Sequence, residues 1–355
     1  MASTSLAERE PTEPQPTAPV SFRAVERWVM LVTSAWLVGG LQLDAYAHAT
    51  IPELETFWTP WHAVLYSGMA ASGLTLLWLL RSRLPSIPTY GTLLALPNAL
   101  RVPMLGMALL LVGGGVDTLW HNLFGIETDL EIFVSPSHAL IILGMVLVAA
   151  GPALMVPAGR LTVADGVLAT ISALLAMLPL HIYSLHASVL ATDPLGYGGD
   201  RIGVYSYDAQ LMHGYLFTTV LLLLPIVLLS RRWRVPIGVP TVLVAAPTTA
   251  MHLMFLTGDP WWPALTIVAA AAAAELVLRV AAAAVQLPRE VGWAAVGLFS
   301  PVVLWGGVFL VGQRTAGIVW NVHMVTGLLM LTALAGVATA LVIRHIRVGP
   351  PDAAR

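Results

Sequence analysis

The 355-residue chain contains neither cysteine nor lysine, and only 10% of its residues are charged. Without cysteine there can be no disulfide, no thiolate metal site and no cysteine nucleophile. All 17 basic residues are therefore arginine. A soluble domain carries about 25% charged residues. The shortage of charge here, together with 57% hydrophobic residues and a mean hydropathy of +0.81, excludes an ordinary soluble fold and points to an integral membrane protein. Basic patches suited to nucleic acid are absent too. Residues 1–25 are polar and proline-rich and have no apolar stretch that would make a signal peptide. They read as a disordered tail. Residues 26–346 read as one polytopic transmembrane domain, and 347–355 as a second short tail.

A helix needs about 20 apolar residues to cross a bilayer. That length predicts an all-α fold of about ten transmembrane helices joined as hairpins, near 27–46, 61–81, 102–123, 136–156, 165–187, 208–230, 237–256, 261–284, 291–312 and 319–344. The 85–100 connection is ambiguous, because Leu93 to Leu96 could lie in the membrane interface. Charge orients the array. With a cytoplasmic N-terminus, only Arg201 and Arg314 of the 17 arginines fall outside, leaving 15 inside. This is the positive-inside bias, and it predicts that both termini are cytoplasmic in a multi-pass cell-membrane protein. On that topology nine of the ten histidines lie at or near extracytoplasmic helix ends, and only His345 lies inside. Ionisable groups within membrane helices are costly and usually face an interior cavity.

Two stretches repeat one another. The first runs Asp44-Ala-Tyr-Ala-His48, then Thr59-Pro60-Trp61-His62-Ala63. The second runs Asp117-Thr-Leu-Trp-His121, then Ser135-Pro136-Ser137-His138-Ala139. Residues four apart share one helix face, so each Asp and His pair can offer two ligands to one metal. The hydroxyl residue suits an N-cap and the proline suits the first helical position. His62 and His138 then follow in the first turn of the next helix. Each unit is a hairpin carrying Asp44, His48 and His62, or Asp117, His121 and His138. One carboxylate and two imidazoles leave open positions for water, oxygen or substrate. A single such hairpin is equally well read as an interhelical hydrogen-bond cluster. Two copies on one face favour a divalent metal, copper or iron first and zinc as a further option. The spacing does not decide between one dinuclear site and two mononuclear ones.

The string Asp117-Thr-Leu-Trp-His121 with Ser135-Pro136-Ser137-His138 resembles the C subunit of particulate methane and ammonia monooxygenases. That family carries an Asp, a His four residues later and a further His opening the next helix, and these hold a metal usually discussed as copper. The resemblance covers two stretches of about twenty residues and implies metal binding at Asp117, His121 and His138, and at Asp44, His48 and His62, with oxidation chemistry. This chain differs in having two copies, the second with the longer gap between its histidines.

A further group supplies candidate catalytic or supporting residues. His181 and His186 are expected to end the fifth helix, about 140° apart around it. Asp208 and His213 open the sixth, His252 ends the seventh, and His323 opens the tenth. Taken singly, each reads as a hydrogen-bonded helix-end residue. Pro260-Trp261-Trp262 resembles a degenerate third copy of the hairpin, with Trp in place of His. Glu275 and Arg279, four apart, are expected to pair. Gly113-Gly114-Gly115 is expected to allow close helix packing. The 193–208 loop is a candidate lid.

Three functions follow. The first is a membrane metalloenzyme oxidising a small or lipophilic molecule near the outer leaflet, with membrane lipids, a small-molecule substrate and an electron-donor protein as partners. The second is a non-oxygenating tailoring enzyme, for example one forming N–N bonds or diazo groups, using Asp and His as acid and base. The third is a metal or proton transporter, disfavoured because polar groups are scarce through the inner half of the membrane. No haem or flavin motif is present.

Overall fold

The computed structural model describes residues 21–51, 59–85, 87–125, 127, 130–159, 161–192, 195, 206–285 and 289–345. Most of the N-terminal tail, the 347–355 tail and most of the 193–208 loop lie outside these residues. Every regular element among the described residues is helical. In chain order the α-helices are α1 (Ala24–Thr50), α2 (Pro60–Leu80), α3 (Tyr90–Leu94), α4 (Asn98–Phe124), α5 (Glu131–Val134) and α6 (Pro136–Leu154). There follow α7 (Val163–Tyr183), α8 (Ser206–Arg232), α9 (Val239–Phe255), α10 (Trp262–Val285), α11 (Arg289–Thr315) and α12 (Val322–His345).

Nine of these helices are long and apolar enough to cross a membrane among the described residues. The other long apolar helix, α9, has 17 residues, the short end of the spanning range. The ambiguous 85–100 connection contains the one-turn α3, which Thr89 starts by accepting a hydrogen bond from the Thr92 amide, and the first residues of α4, which begins at Asn98. One expected helix end is corrected. The fifth predicted span was read to 187, but α7 stops at Tyr183 and a 3-10 turn covers Leu185–Ala187. Ser184 donates its hydroxyl to the carbonyls of Leu180 and His181, an alternative to continuing the helix. His186 therefore sits on the 3-10 turn, and the helical angle between it and His181 does not apply.

Helix association in lipid depends on close backbone approach, because lipid tails are as apolar as leucine. Glycine provides that approach at the two crossings that carry the Asp/His motifs. A Cβ added to Gly40 of α1 would stand 2.6 Å from Leu65 Cα of α2, and one on Gly68 of α2 would stand 2.7 Å from Leu37 Cα of α1. In α4 and α6, a Cβ on Gly106 or Gly144 would lie 2.6 or 2.7 Å from the other's carbonyl oxygen. Gly113 likewise faces Ile141 of α6, whereas Gly115 has open space. These contacts make two tight hairpins, α1 with α2 and α4 with α6, and α1 packs on α6 and α7 as well.

Charged residues tie the opposite ends of the helices. Arg83 reaches Glu26 at 3.0 Å and Arg27 reaches Asp165 at 2.7 Å. Glu26 and Asp44 share α1, 18 residues apart, which is about 27 Å of helix. The expected Glu275–Arg279 pair forms at 2.8 Å. Glu275 also accepts from the Gly238 and Thr241 amides at the start of α9, meeting orphan donors there. Its role is thus structural.

Candidate metal centre

α1 ends in Asp44 and His48, and α2 opens with His62. Thr59 caps α2 by accepting from the His62 amide at 3.1 Å, with Pro60 at the first position. The cap fixes the turn that carries His62 back toward α1. His62 Nε2 lies 3.3 Å from Asp44 Oδ1, and His48 Nε2 lies 3.9 Å from Asp44 Oδ2. In the second hairpin, Asp117 and His121 end α4 and His138 opens α6. His138 Nε2 lies 3.2 Å from Asp117 Oδ1, and His121 Nε2 lies 3.5 Å from Asp117 Oδ2. The expected Ser135 cap is corrected: its side chain makes no cap bond. Its hydroxyl instead pairs with Ser137 at 2.8 Å, and Ser137 donates to Asp117 at 2.8 Å.

In each hairpin one ligand atom from all three residues falls within 4.8 Å of the others. Ligands about 2.0–2.1 Å from a tetrahedral metal stand roughly 3.3 Å apart, so the spacing suits a small divalent ion. Hydrogen-bond partners make the fit more specific. His138 Nδ1 lies 2.9 Å from the Ile132 carbonyl, and His121 Nδ1 lies 3.3 Å from the Gly125 carbonyl and 3.1 Å from Glu127. Carbonyl and carboxylate oxygens only accept, so both Nδ1 atoms carry the proton. A neutral imidazole of that tautomer turns the lone pair of Nε2 toward Asp117. Two lone pairs facing one carboxylate repel unless a proton or a metal ion stands between them. In the first hairpin, Asp44 Oδ1 is buried with no hydrogen-bond partner although His62 is near. An unsatisfied buried carboxylate oxygen is costly, and a bound metal would satisfy it.

The two centres are neighbours. His48 lies within electrostatic range of His62, His121 and His138. Tyr66, one turn after His62, interacts with both Asp44 and Asp117. Its ring centroid is 6.2 Å from that of His62, and a methyl on Gly114 of α4 would stand 3.8 Å from its Cε1. Sequence reasoning missed Tyr66, although the i, i+4 rule that paired Asp44 with His48 pairs His62 with Tyr66. It also missed Glu127 as a partner of His121.

The remaining candidates are dispersed. His186 stacks on Phe133 at 5.0 Å, close to the loop that leads into His138. His181 and His252 are buried, each with one ring nitrogen lacking a partner. Asp208 accepts from the Trp320 indole at 2.7 Å, tying α8 to the start of α12. His213 and His323 are exposed. In the α9–α10 hairpin, His252 lies 3.9 Å from Trp261, an aromatic pair placed like His48 and His62. Thr248 stands four residues before His252, where the other hairpins have Asp, and it bonds back to Val244. At the matching positions that hairpin has Thr248 for the carboxylate and Trp261–Trp262 for the second imidazole.

Searches against family models, curated proteins and solved structures find no match.

Proposed function

We propose that this protein is a membrane-embedded metal-dependent enzyme of the oxidase or monooxygenase type, acting on a small or lipophilic molecule. The observation that carries this reading is that Nε2 of His121 and Nε2 of His138 both face the Asp117 carboxylate, at 3.5 and 3.2 Å, together with the second Asp/His group beside it. The motif resemblance to the C subunit of particulate methane and ammonia monooxygenases supports it. So does the donor set, since carboxylate and imidazole with open positions suit copper or iron as well as zinc. The arginine distribution, 15 of 17 on one side, supports cytoplasmic termini and a centre near the extracytoplasmic face of the cell membrane.

Asp44, His48 and His62 would hold one ion, and Asp117, His121 and His138 the other. A bound copper or iron ion would supply oxygen activation in a water-poor setting. The protein's own groups orient and move protons. Glu127 and the Gly125 and Ile132 carbonyls fix the ring orientations. Tyr66, near His62 and within electrostatic range of both carboxylates, would give a proton to a substrate held there. Placing one atom of O2 in a product and the other in water consumes an electron pair and two protons, so the reading requires an electron-donor protein.

Metal analysis with electron paramagnetic resonance on the purified wild type and on Asp117→Ala tests the reading. Copper or iron with imidazole nitrogen coupling, altered in the variant, is the expected outcome. An acid–base reading is favoured by one observation, the Ser135–Ser137–Asp117 hydrogen-bond chain. Loss of activity in Asp117→Ala from a protein that holds no redox metal would put that reading in place of oxidation.

A further inference from the structure

The duplicated hairpins differ in the groups that support their ligands. Asp117 Oδ1 accepts the Ser137 hydroxyl at 2.8 Å, and Ser135 orients Ser137 in turn. The position equivalent to Ser137 is Trp61 in the first hairpin, and Asp44 Oδ1 has no hydrogen-bond partner. Glu127 Oε2 lies 3.1 Å from His121 Nδ1, its side chain 8% exposed, and His121 Nδ1 also faces the Gly125 carbonyl at 3.3 Å. No described residue holds Nδ1 of His48 in the same way. Exposure follows the same division. The His48 side chain is 39% exposed and the His121 side chain 14%.

Ligands whose orientation is already fixed lose less freedom on binding metal, and partners that hold them typically contribute 10–100-fold to affinity. A more solvent-open ligand, with no such partner among the described residues, is freer to leave. We infer that the two centres are unequal: the Asp117 centre holds its metal tightly and permanently, and the Asp44 centre is the exchangeable one that opens through His48. Glu127 is the positioning residue that sets the difference, acting through His121. This rests on the metal reading above and assigns the two copies separate roles within it.

Co2+ titration of the metal-free full chain, followed by visible absorption, tests the inference. Wild type should bind in two steps separated by about 10–100-fold. His62→Ala should keep the tight step and lose the weak one, and His138→Ala should do the reverse. Glu127→Gln should weaken the tight step by at least tenfold and shift its absorption bands, and Glu127→Asp should restore part of both. Trp61→Ser, which restores a hydroxyl beside Asp44, should narrow the gap between the steps. Two steps of equal affinity, or a tight step that survives His138→Ala and vanishes in His62→Ala, would overturn the inequality and leave the metal reading standing. No Co2+ binding by any of these proteins would overturn both.

Discussion

Ser137 donates its hydroxyl to Asp117 Oδ1 at 2.8 Å, the same oxygen that His138 approaches to 3.2 Å. One carboxylate oxygen is thus oriented by a serine and faced by an imidazole. The serine occupies one lone pair and leaves the other aimed at the space between the histidines. Removing the hydroxyl in Ser137→Ala frees the carboxylate to rotate. Metal affinity of the second centre should fall about tenfold or more with the helices intact, read by chelator competition on the purified protein.

Helix crossings without side chains leave no room for a methyl. Gly106→Ala places a Cβ 2.6 Å from the Gly144 carbonyl, so α4 and α6 must separate. Overpacking of this kind costs roughly 1–3 kcal/mol. Because α4 carries Asp117 and α6 carries His138, the same variant should also weaken metal binding. Gly115→Ala meets open space and should leave melting temperature and metal content unchanged. Equal behaviour of the two variants in thermal unfolding would contradict this packing.

Tyr66→Phe removes one hydroxyl near the centres and retains the ring beside His62 and Gly114 of α4. Both metals should remain bound, and turnover should fall by about 10²–10⁴ if the hydroxyl delivers a proton. Metal analysis and activity measured on one preparation separate this from ligand loss. Unchanged turnover would remove Tyr66 from the reaction.

The helical array was legible because hydrocarbon runs of this length have few other homes. The centres were legible because Asp44 and His48, and Asp117 and His121, obey helix periodicity. What escaped depends on groups outside that periodicity. Glu127 lies between helices, where no repeat predicts which way a side chain turns. The end of α7 is set by the Ser184 hydroxyl competing for carbonyls, so His186 was assigned to the wrong element. Ser135 looked like a cap because its counterpart Thr59 is one. Ser137, two residues on, pairs with the Ser135 hydroxyl and itself donates to the Asp117 carboxylate, and only the three-dimensional contact reveals this.

The proposed orientation predicts opposite reporter signals at two described helix ends. A phosphatase fused after Phe124 should be active, and one fused after Arg232 should be silent. Signals on the same side would contradict the arginine-based topology.

Metal content tests the central claim most directly. Purified wild type should retain copper or iron, or accept a stoichiometric divalent metal after reconstitution. Asp44→Ala and Asp117→Ala should each lower occupancy, and the double variant should bind none while remaining in the membrane with its helical circular dichroism intact. Full metal occupancy in the double variant, or no metal bound by the wild type under any loading condition, would contradict the account.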